Sequence, residues 1–179
     1  MLEQESPLLH VVNNEDHVEG LATREECHTR HGKEGLWLHR ATTVLVTDSQ
    51  GRLLITKRSL KKDLWPDYWD TTASSHPSEY ESYLDSAKRS LKNELGIEIH
   101  LEQIGKFTYE ADFDETRGEH EKCALFIGLF SGKLLPNPEE ISKFKWIYPK
   151  DLQKEIDSSS DISPWLIEAF KAYLDYQKK

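Results

Sequence analysis

The sequence predicts an α+β fold in which the strands lie mostly in hairpins rather than alternating with helices. Three features carry this: β-branched runs flanking a turn between residues 41 and 57, one strongly patterned helix mid-chain, and a second helix opened by Ser163 and Pro164. The chain has 179 residues, and single cores stop growing only near ~250–300 residues. One domain over residues 1–179 is therefore expected.

Residues 8–12 read as a short strand, and Asn13, Asn14, Glu15 and Asp16 as a polar turn before Val18 resumes. Residues 41–47 are apolar and β-branched, Asp48, Ser49, Gln50 and Gly51 make a turn, and residues 52–57 return with Leu53, Leu54 and Ile55, which predicts a hairpin. Residues 64–69 set Trp65, Tyr68 and Trp69 around Pro66, which excludes a helix interior and reads as a packed irregular loop. A helix is expected over residues 79–95, with Ser78 as N-cap, Glu81 as its reciprocal partner and Gly96 as the stop. Its apolar face is Tyr80, Tyr83, Leu84, Ala87 and Leu91. Further strands are expected at residues 97–101, 105–110, 121–130 and 144–148. A short helix is expected at 151–156 and a longer one from Pro164 to Tyr176, N-capped by Ser163.

Composition excludes several classes. With 23 basic and 32 acidic residues the net charge is −9, which argues against nucleic acid as a partner because phosphate backbones demand a basic face. No stretch approaches the ~20 apolar residues that a membrane span needs, so no membrane insertion is expected. Residues 1–6 carry two acidic residues and no basic one, unlike a secretory or mitochondrial leader. Cys27 and Cys123 are too few for a disulfide scaffold. The expected location is cytoplasmic.

Several side chains stand out against this background. Glu94 falls on the apolar face of its helix, three residues after Leu91. It is either a domain-edge carboxylate paired with a lysine, or a metal ligand, since a buried carboxylate needs a cation or a proton. Asp85 and Arg89 read as an i, i+4 surface pair. Glu119 and Glu121 share one strand face with Cys123, Leu125 and Ile127. Like charges on an inward face call for a bound cation or a shared proton; the other reading is a strand end in solvent. Among eight histidines, His10, His17, His31, His100 and His120 read as surface, while His28, His39 and His76 are singled out only by their company. Lys57, Arg58, Lys61 and Lys62 concentrate positive charge, either as an anion site or as a solvated run.

The spacing over residues 75–97 resembles the Nudix box, a loop–helix–loop that builds a diphosphate and metal site. Glu81, Arg89, Leu91, Glu94, Gly96 and Ile97 match it; Ser75 stands for its first glycine, and Ser90 and Asn93 replace two glutamates. The degenerate box is similar to that of the type 1 isopentenyl diphosphate isomerases. The likeness runs from about Arg24 to Trp165 through Arg24-Glu-Glu-Cys-His28, Leu38-His39-Arg40, Thr56-Lys-Arg58 with Lys62, Leu64-Trp-Pro66, Ser74-Ser-His-Pro77, Phe107-Thr-Tyr109, Glu119-His-Glu121 and Ser163-Pro-Trp165.

That resemblance implies a Nudix-like fold, a mixed β-sheet core flanked by helices. It implies that His28, His39, His76, Glu119 and Glu121 form one octahedral divalent-metal site, suited to Mn²⁺ or Zn²⁺ better than to Ca²⁺. Glu94 would contact Mg²⁺ bridging to a small-molecule diphosphate, and Arg58, Lys62 and Ser75 match its other contacts. Arg24 stands where a lysine is usual, which keeps the charge but changes donor geometry. The implied reaction moves a double bond through a tertiary carbocation. Glu121, held by metal and Tyr109, works on one side, a cysteine on the other, and Trp165 stabilises the cation through its π face. Here the cysteine position is Ser74, and a hydroxyl has no accessible anion near neutral pH. The expectation is slow isomerisation, a different proton donor, or loss of this activity. The alternatives are a Nudix-type diphosphate hydrolase or a non-catalytic diphosphate-binding protein.

Overall fold

The computed structural model describes residues 7–179; the acidic start at residues 1–6 lies outside the described residues. In chain order the elements are β1 (Leu9–Val12), β2 (Val18–Ala22), α1 (Arg24–His28), β3 (His39–Thr47), β4 (Leu53–Arg58), β5 (Trp69–Asp70), β6 (Ala73–Ser75), α2 (Tyr83–Leu95), β7 (Glu102–Asp112), β8 (Gly118–Leu129), β9 (Ile141–Ile147), α3 (Pro149–Ser158) and α4 (Pro164–Tyr176). Among the described residues, no helix is long and apolar enough to cross a membrane.

The strands join one mixed sheet centred on β3. The hairpin expected around the turn at residues 48–51 is present, but β3 and β4 pair only next to the turn, at Val46↔Leu54 and Thr47↔Leu53. Beyond it β4 runs against β9. β3 instead runs parallel to β8 along its whole length and antiparallel to β6 at Thr42, Thr43 and Val44. Side chains alternate across a strand. Val44 and Val46 thus join Leu91 and Leu95 of α2 in one core layer, while Leu45 joins Leu166 and Phe170 of α4 in another. Helices on both faces bury β3 almost completely.

Two sequence expectations change here. The mid-chain helix begins at Tyr83, with Ser82 as N-cap: Ser82 Oγ accepts from Asp85 N at 3.2 Å and Asp85 Oδ2 accepts from Ser82 N at 3.1 Å. Ser78 N donates to Glu81 Oε2 and Glu81 N to the Ser78 carbonyl, both at 3.0 Å, which closes a separate turn that is pinned to Leu9 by a β-bridge. Tyr80 sits on that turn, 90% exposed, and does not belong to the apolar face. Residues 97–101 form no strand. Ile97 and Leu101 are instead buried with α2, and Ile99 and Leu101 press so closely on Gly128 that a Cβ there would lie 2.6 and 2.9 Å from them. Several starts move earlier: β8 begins soon enough to include Glu119, β9 reaches back to Ile141, and α3 spans Pro149–Ser158.

The start of β8 is tightly constrained. A Cβ on Gly118 would lie 2.4 Å from Ala111 O and 2.9 Å from Leu36 Cδ1, both fixed by packing. Gly118→Ala is expected to destabilise the protein by roughly 2–3 kcal/mol, measured by urea unfolding. An unchanged midpoint would mean that this end of β8 is loosely held.

Candidate active site

Four short stretches meet over the β3–β8 seam. His28 ends α1, a helix started by a capping box between Thr23 and Glu26. His39 opens β3, His76 follows β6, and Glu119 and Glu121 lie on one face of β8. The parallel register sets His39 directly opposite Glu121, and the β7–β8 register sets Tyr109 opposite Glu121 as well. The three imidazoles form a triangle with ring centroids 5.1 Å apart. One donor atom from each of His28, His39, His76, Glu119 and Glu121 falls within 4.8 Å of every other.

These donors converge without satisfying one another. His28 Nε2, His39 Nε2 and Glu119 Oε2 are sealed from solvent and lack a hydrogen-bond partner, although His28 Nε2 and Glu119 Oε2 are 2.9 Å apart. Proximity there is not accompanied by hydrogen-bond geometry, so the separation marks two electron-pair donors aimed at a common point. His39 Nδ1 lies 2.9 Å from Trp37 O. A carbonyl only accepts, so Nδ1 carries the hydrogen and Nε2 presents a bare lone pair. Burial lowers His28 to about 4 and His39 to about 3, leaving both rings neutral and able to ligate. Burial raises the Glu119 carboxyl far above the usual range, and the charge of Glu121 adds to this. Glu121 is also buried, but the His76 contact at 2.8 Å and the Tyr109 hydroxyl at 2.8 Å hold it below the usual range. Five imidazole and carboxylate donors, three of them with orphaned buried atoms, fit a divalent cation.

Beside this cage opens a cleft of about 600 Å³. Arg24, Arg58, Lys62, Ser74, Ser75 and Glu94 all line it, as do Tyr109 and Trp165 and, from the cage, His76, Glu119 and Glu121. Arg24 is exposed and pairs with Asp63 at 3.3 Å, while Lys62 pairs with Glu140. Arg58 donates to Asp70, Trp65 O and Leu64 O at 2.8, 3.0 and 2.9 Å, so it also staples the tryptophan loop. Burial pushes the Glu94 carboxyl up to about 8, with Lys62 pulling it down and Asp70 and Glu140 pushing it up. It does not pair off with a lysine at the domain edge.

Arg89 forms its pair with Glu81 rather than with Asp85, at 2.6 Å, and donates to His76 O at 3.0 Å, so this pair braces the loop bearing His76. Sequence reasoning missed Asp70 and Glu140, the acids facing Arg58 and Lys62, because nothing marks one carboxylate as buried among 32 acidic residues. It also missed the Cys123 thiol as a donor to Glu121 at 3.2 Å. Of the five histidines read as surface, His17 and His100 are exposed. His10 is partly buried, His31 stacks on Trp37 with centroids 4.0 Å apart, and His120 contacts Leu36 O at 3.0 Å. None of the three joins the cage, because they face other strands or loops.

A NUDIX domain matches residues 37–166. The fold is similar to a crystal structure of DR0079 from Deinococcus radiodurans, with TM-score 0.75 and 22% identity, covering 92% of this chain and 97% of that one. It is also similar to a MutT protein from Methanosarcina mazei, with TM-score 0.67 and 15% identity over 79% of this chain and 96% of that one. In sequence the chain is 38% identical to an isopentenyl-diphosphate Delta-isomerase of Brevibacterium linens, over 74% of each protein. It is 32% identical to the enzyme of that name from Kocuria rhizophila, over 93% of this chain and 92% of the relative. The chain therefore belongs to the NUDIX family and, within it, to the isopentenyl-diphosphate Delta-isomerase branch.

Adding Mn²⁺ is expected to raise the thermal midpoint by at least about 5 °C, and His39→Ala or Glu119→Gln to remove the rise. Burial and the charge of Glu121 favour the protonated Glu119 carboxyl, so cation binding should be accompanied by proton release; calorimetric heats that do not vary with buffer ionisation enthalpy would contradict this. Glu94 carries the opposite liability. Its folded value of about 8 exceeds its ordinary 4.5, so its contribution to stability is complete below that ordinary value and is lost as pH rises through about 8. Glu94→Gln should therefore flatten the fall in metal-free melting temperature between pH 5 and 9, and an unaltered slope would refute the burial of that carboxyl.

Proposed function

We propose that the protein interconverts isopentenyl and dimethylallyl diphosphate, a small-molecule substrate taken into the cleft beside the cage. The observation that carries this reading is the meeting of acid–base and apolar elements in one slot. Glu121 accepts from the buried Tyr109 hydroxyl at 2.8 Å, and the Tyr109 ring lies 6.2 Å from the Trp165 indole. Moving a double bond between carbons needs a proton placed and another removed beside hydrocarbon, and a carboxylate edged by aromatic rings supplies that setting.

In this reading Arg58, Lys62, Arg24 and Ser75 anchor the diphosphate, and the binding energy of that remote group orients the five-carbon chain against Glu121. Tyr109 and His76 fix the two carboxylate oxygens of Glu121, so its proton enters and leaves along a set direction. Trp165 offers its π face to the tertiary cation. Ser74, on β6 opposite Thr43, faces the same cleft and relays a proton through water, which makes turnover slow. When bound, Mn²⁺ or Zn²⁺ among His28, His39, His76, Glu119 and Glu121 supplies positive charge that holds the acids in place, and Mg²⁺ at Glu94 supplies charge against the diphosphate. The proposed location is cytoplasmic, in keeping with two free buried thiols, Cys27 and Cys123.

Diphosphate hydrolysis is disfavoured by the site's own chemistry. Ser90 is a buried, uncharged hydroxyl donating to Ala87 O at 3.1 Å, Asn93 carries no charge, and Glu81 is occupied by Arg89.

The test is isotope exchange in D₂O with Mn²⁺ and Mg²⁺, followed by NMR. Deuterium should enter the allylic product, Ser74→Cys should raise turnover about 10- to 100-fold, and Glu121→Gln should lower it by about 10²–10⁴-fold. Absence of product and of deuterium in both wild type and Ser74→Cys sinks the isomerase reading, and release of inorganic phosphate would favour hydrolysis.

A further inference from the structure

Asp70 is 4% exposed, yet it lies beside the cleft and has no place in the chemistry described so far. It ends β5, paired with Thr56 of β4. Its Oδ1 accepts from Trp165 Nε1 and from Thr71 N at 2.6 Å, and its Oδ2 accepts from Arg58 Nη1 at 2.8 Å. The Thr71 hydroxyl also donates to Oδ1 at 3.1 Å, so each of these contacts brings a donor to the carboxylate. It therefore ties the indole at the start of α4 to the guanidinium at the end of β4.

The Arg58 guanidinium carbon stands 5.0 Å from the centroid of the Trp165 ring. A permanent cation there draws on the same π density that a second cation would use, and it repels positive charge elsewhere against that ring. Asp70 answers both effects. It neutralises Arg58 at 2.8 Å, and by accepting the indole N–H it polarises the ring toward greater electron density. It also fixes the ring plane, assisted by the Trp65 edge at 5.4 Å and 88°.

We propose that Asp70 is a positioning residue that makes the Trp165 wall selective for positive charge in the apolar end of the cleft. The inference rests on the isomerase reading, since the charge in question is the tertiary cation. The carboxylate stays in place throughout and transfers no proton. Its work is electrostatic: it is set before the reaction and needs no reorganisation when charge develops.

The test compares two ligands of equal length by calorimetry, an alkyl diphosphate ending in a tertiary ammonium and its neutral hydrocarbon counterpart. Wild type should prefer the ammonium ligand, and Asp70→Asn should reduce that preference about 10-fold, the equivalent of about 1.4 kcal/mol. In a Trp165→Phe background the same substitution should reduce the preference by clearly less, because the indole N–H that Asp70 accepts is gone and only its neutralisation of Arg58 remains to be lost. On the wild-type protein, the indole N–H resonance of Trp165, assigned by its loss in Trp165→Phe, should lie downfield of the other tryptophans and exchange slowly. Asp70→Asn should move it upfield and leave the others in place. A normal wild-type preference that Asp70→Asn does not alter overturns the role of Asp70 alone, as does an equal loss in the Trp165→Phe background. An unshifted, rapidly exchanging indole in wild type overturns it without any variant. A wild-type protein with no preference for the ammonium ligand overturns the isomerase reading, and the cation role of Asp70 with it.

Discussion

Two carboxylates and two imidazoles are taken out of water within one small volume, with a third, half-buried imidazole beside them, and the site is organised around neutralising them. Burial lowers the His28 and His39 imidazoles, and burial together with the charge of Glu121 raises the Glu119 carboxyl. Such a cluster is tolerated only where packing forbids its relaxation. That rigidity comes from β3, buried by α2 on one side and α4 on the other, and locked to β8 in parallel register. A one-residue slip between these strands would turn Glu119 and Glu121 away from His39 and reverse the side chains that β8 gives to both core layers, Ala124 and Phe126 on one side and Leu125 on the other.

The adjoining cleft follows a second rule. A chain of net charge −9 gathers cations there and gives each an acidic partner: Arg24 with Asp63, Lys62 with Glu140, Arg58 with Asp70. The pairs differ in strength. Arg24 and Asp63 are exposed and contribute little, whereas Arg58 and Asp70 are shielded and hydrogen-bonded, so their geometry is fixed before any ligand arrives. An anion entering the cleft meets cations already held in place, and the loosest of them exchange partners first.

The loop–helix–loop has been put to structural use. Glu81 and Arg89 line the cleft but clamp each other and the carbonyl of His76, and Ser90 is a buried hydroxyl that donates within its own helix turn. Glu94 alone keeps an acidic group toward the cleft on that helix face, with its carboxyl pushed up by burial. The same backbone frame thus supports proton chemistry at carbon in place of attack at phosphorus, because the frame fixes positions and the side chains decide the reaction.

The sequence by itself determined the local events. The Asp48–Gly51 turn, the Ser163-Pro164 helix start, the Gly96 stop and the one-face placement of Glu119 and Glu121 follow from turn, cap and pleat geometry, which act over a few residues. The likeness to a known family carried His28, His39 and His76 to one site, since nothing in their spacing joins them. The tertiary structure decided the rest. It moved the helix start from Ser78 to Ser82 because Leu9, distant in the chain, claimed Ser78 for a bridge, and it kept residues 97–101 out of the sheet because they fill the space over Gly128. It also decided which of many similar acids, Asp70 and Glu140, would lie beside cations. Burial and charge pairing are sums over neighbours brought together by folding, and a linear pattern contains no term for them.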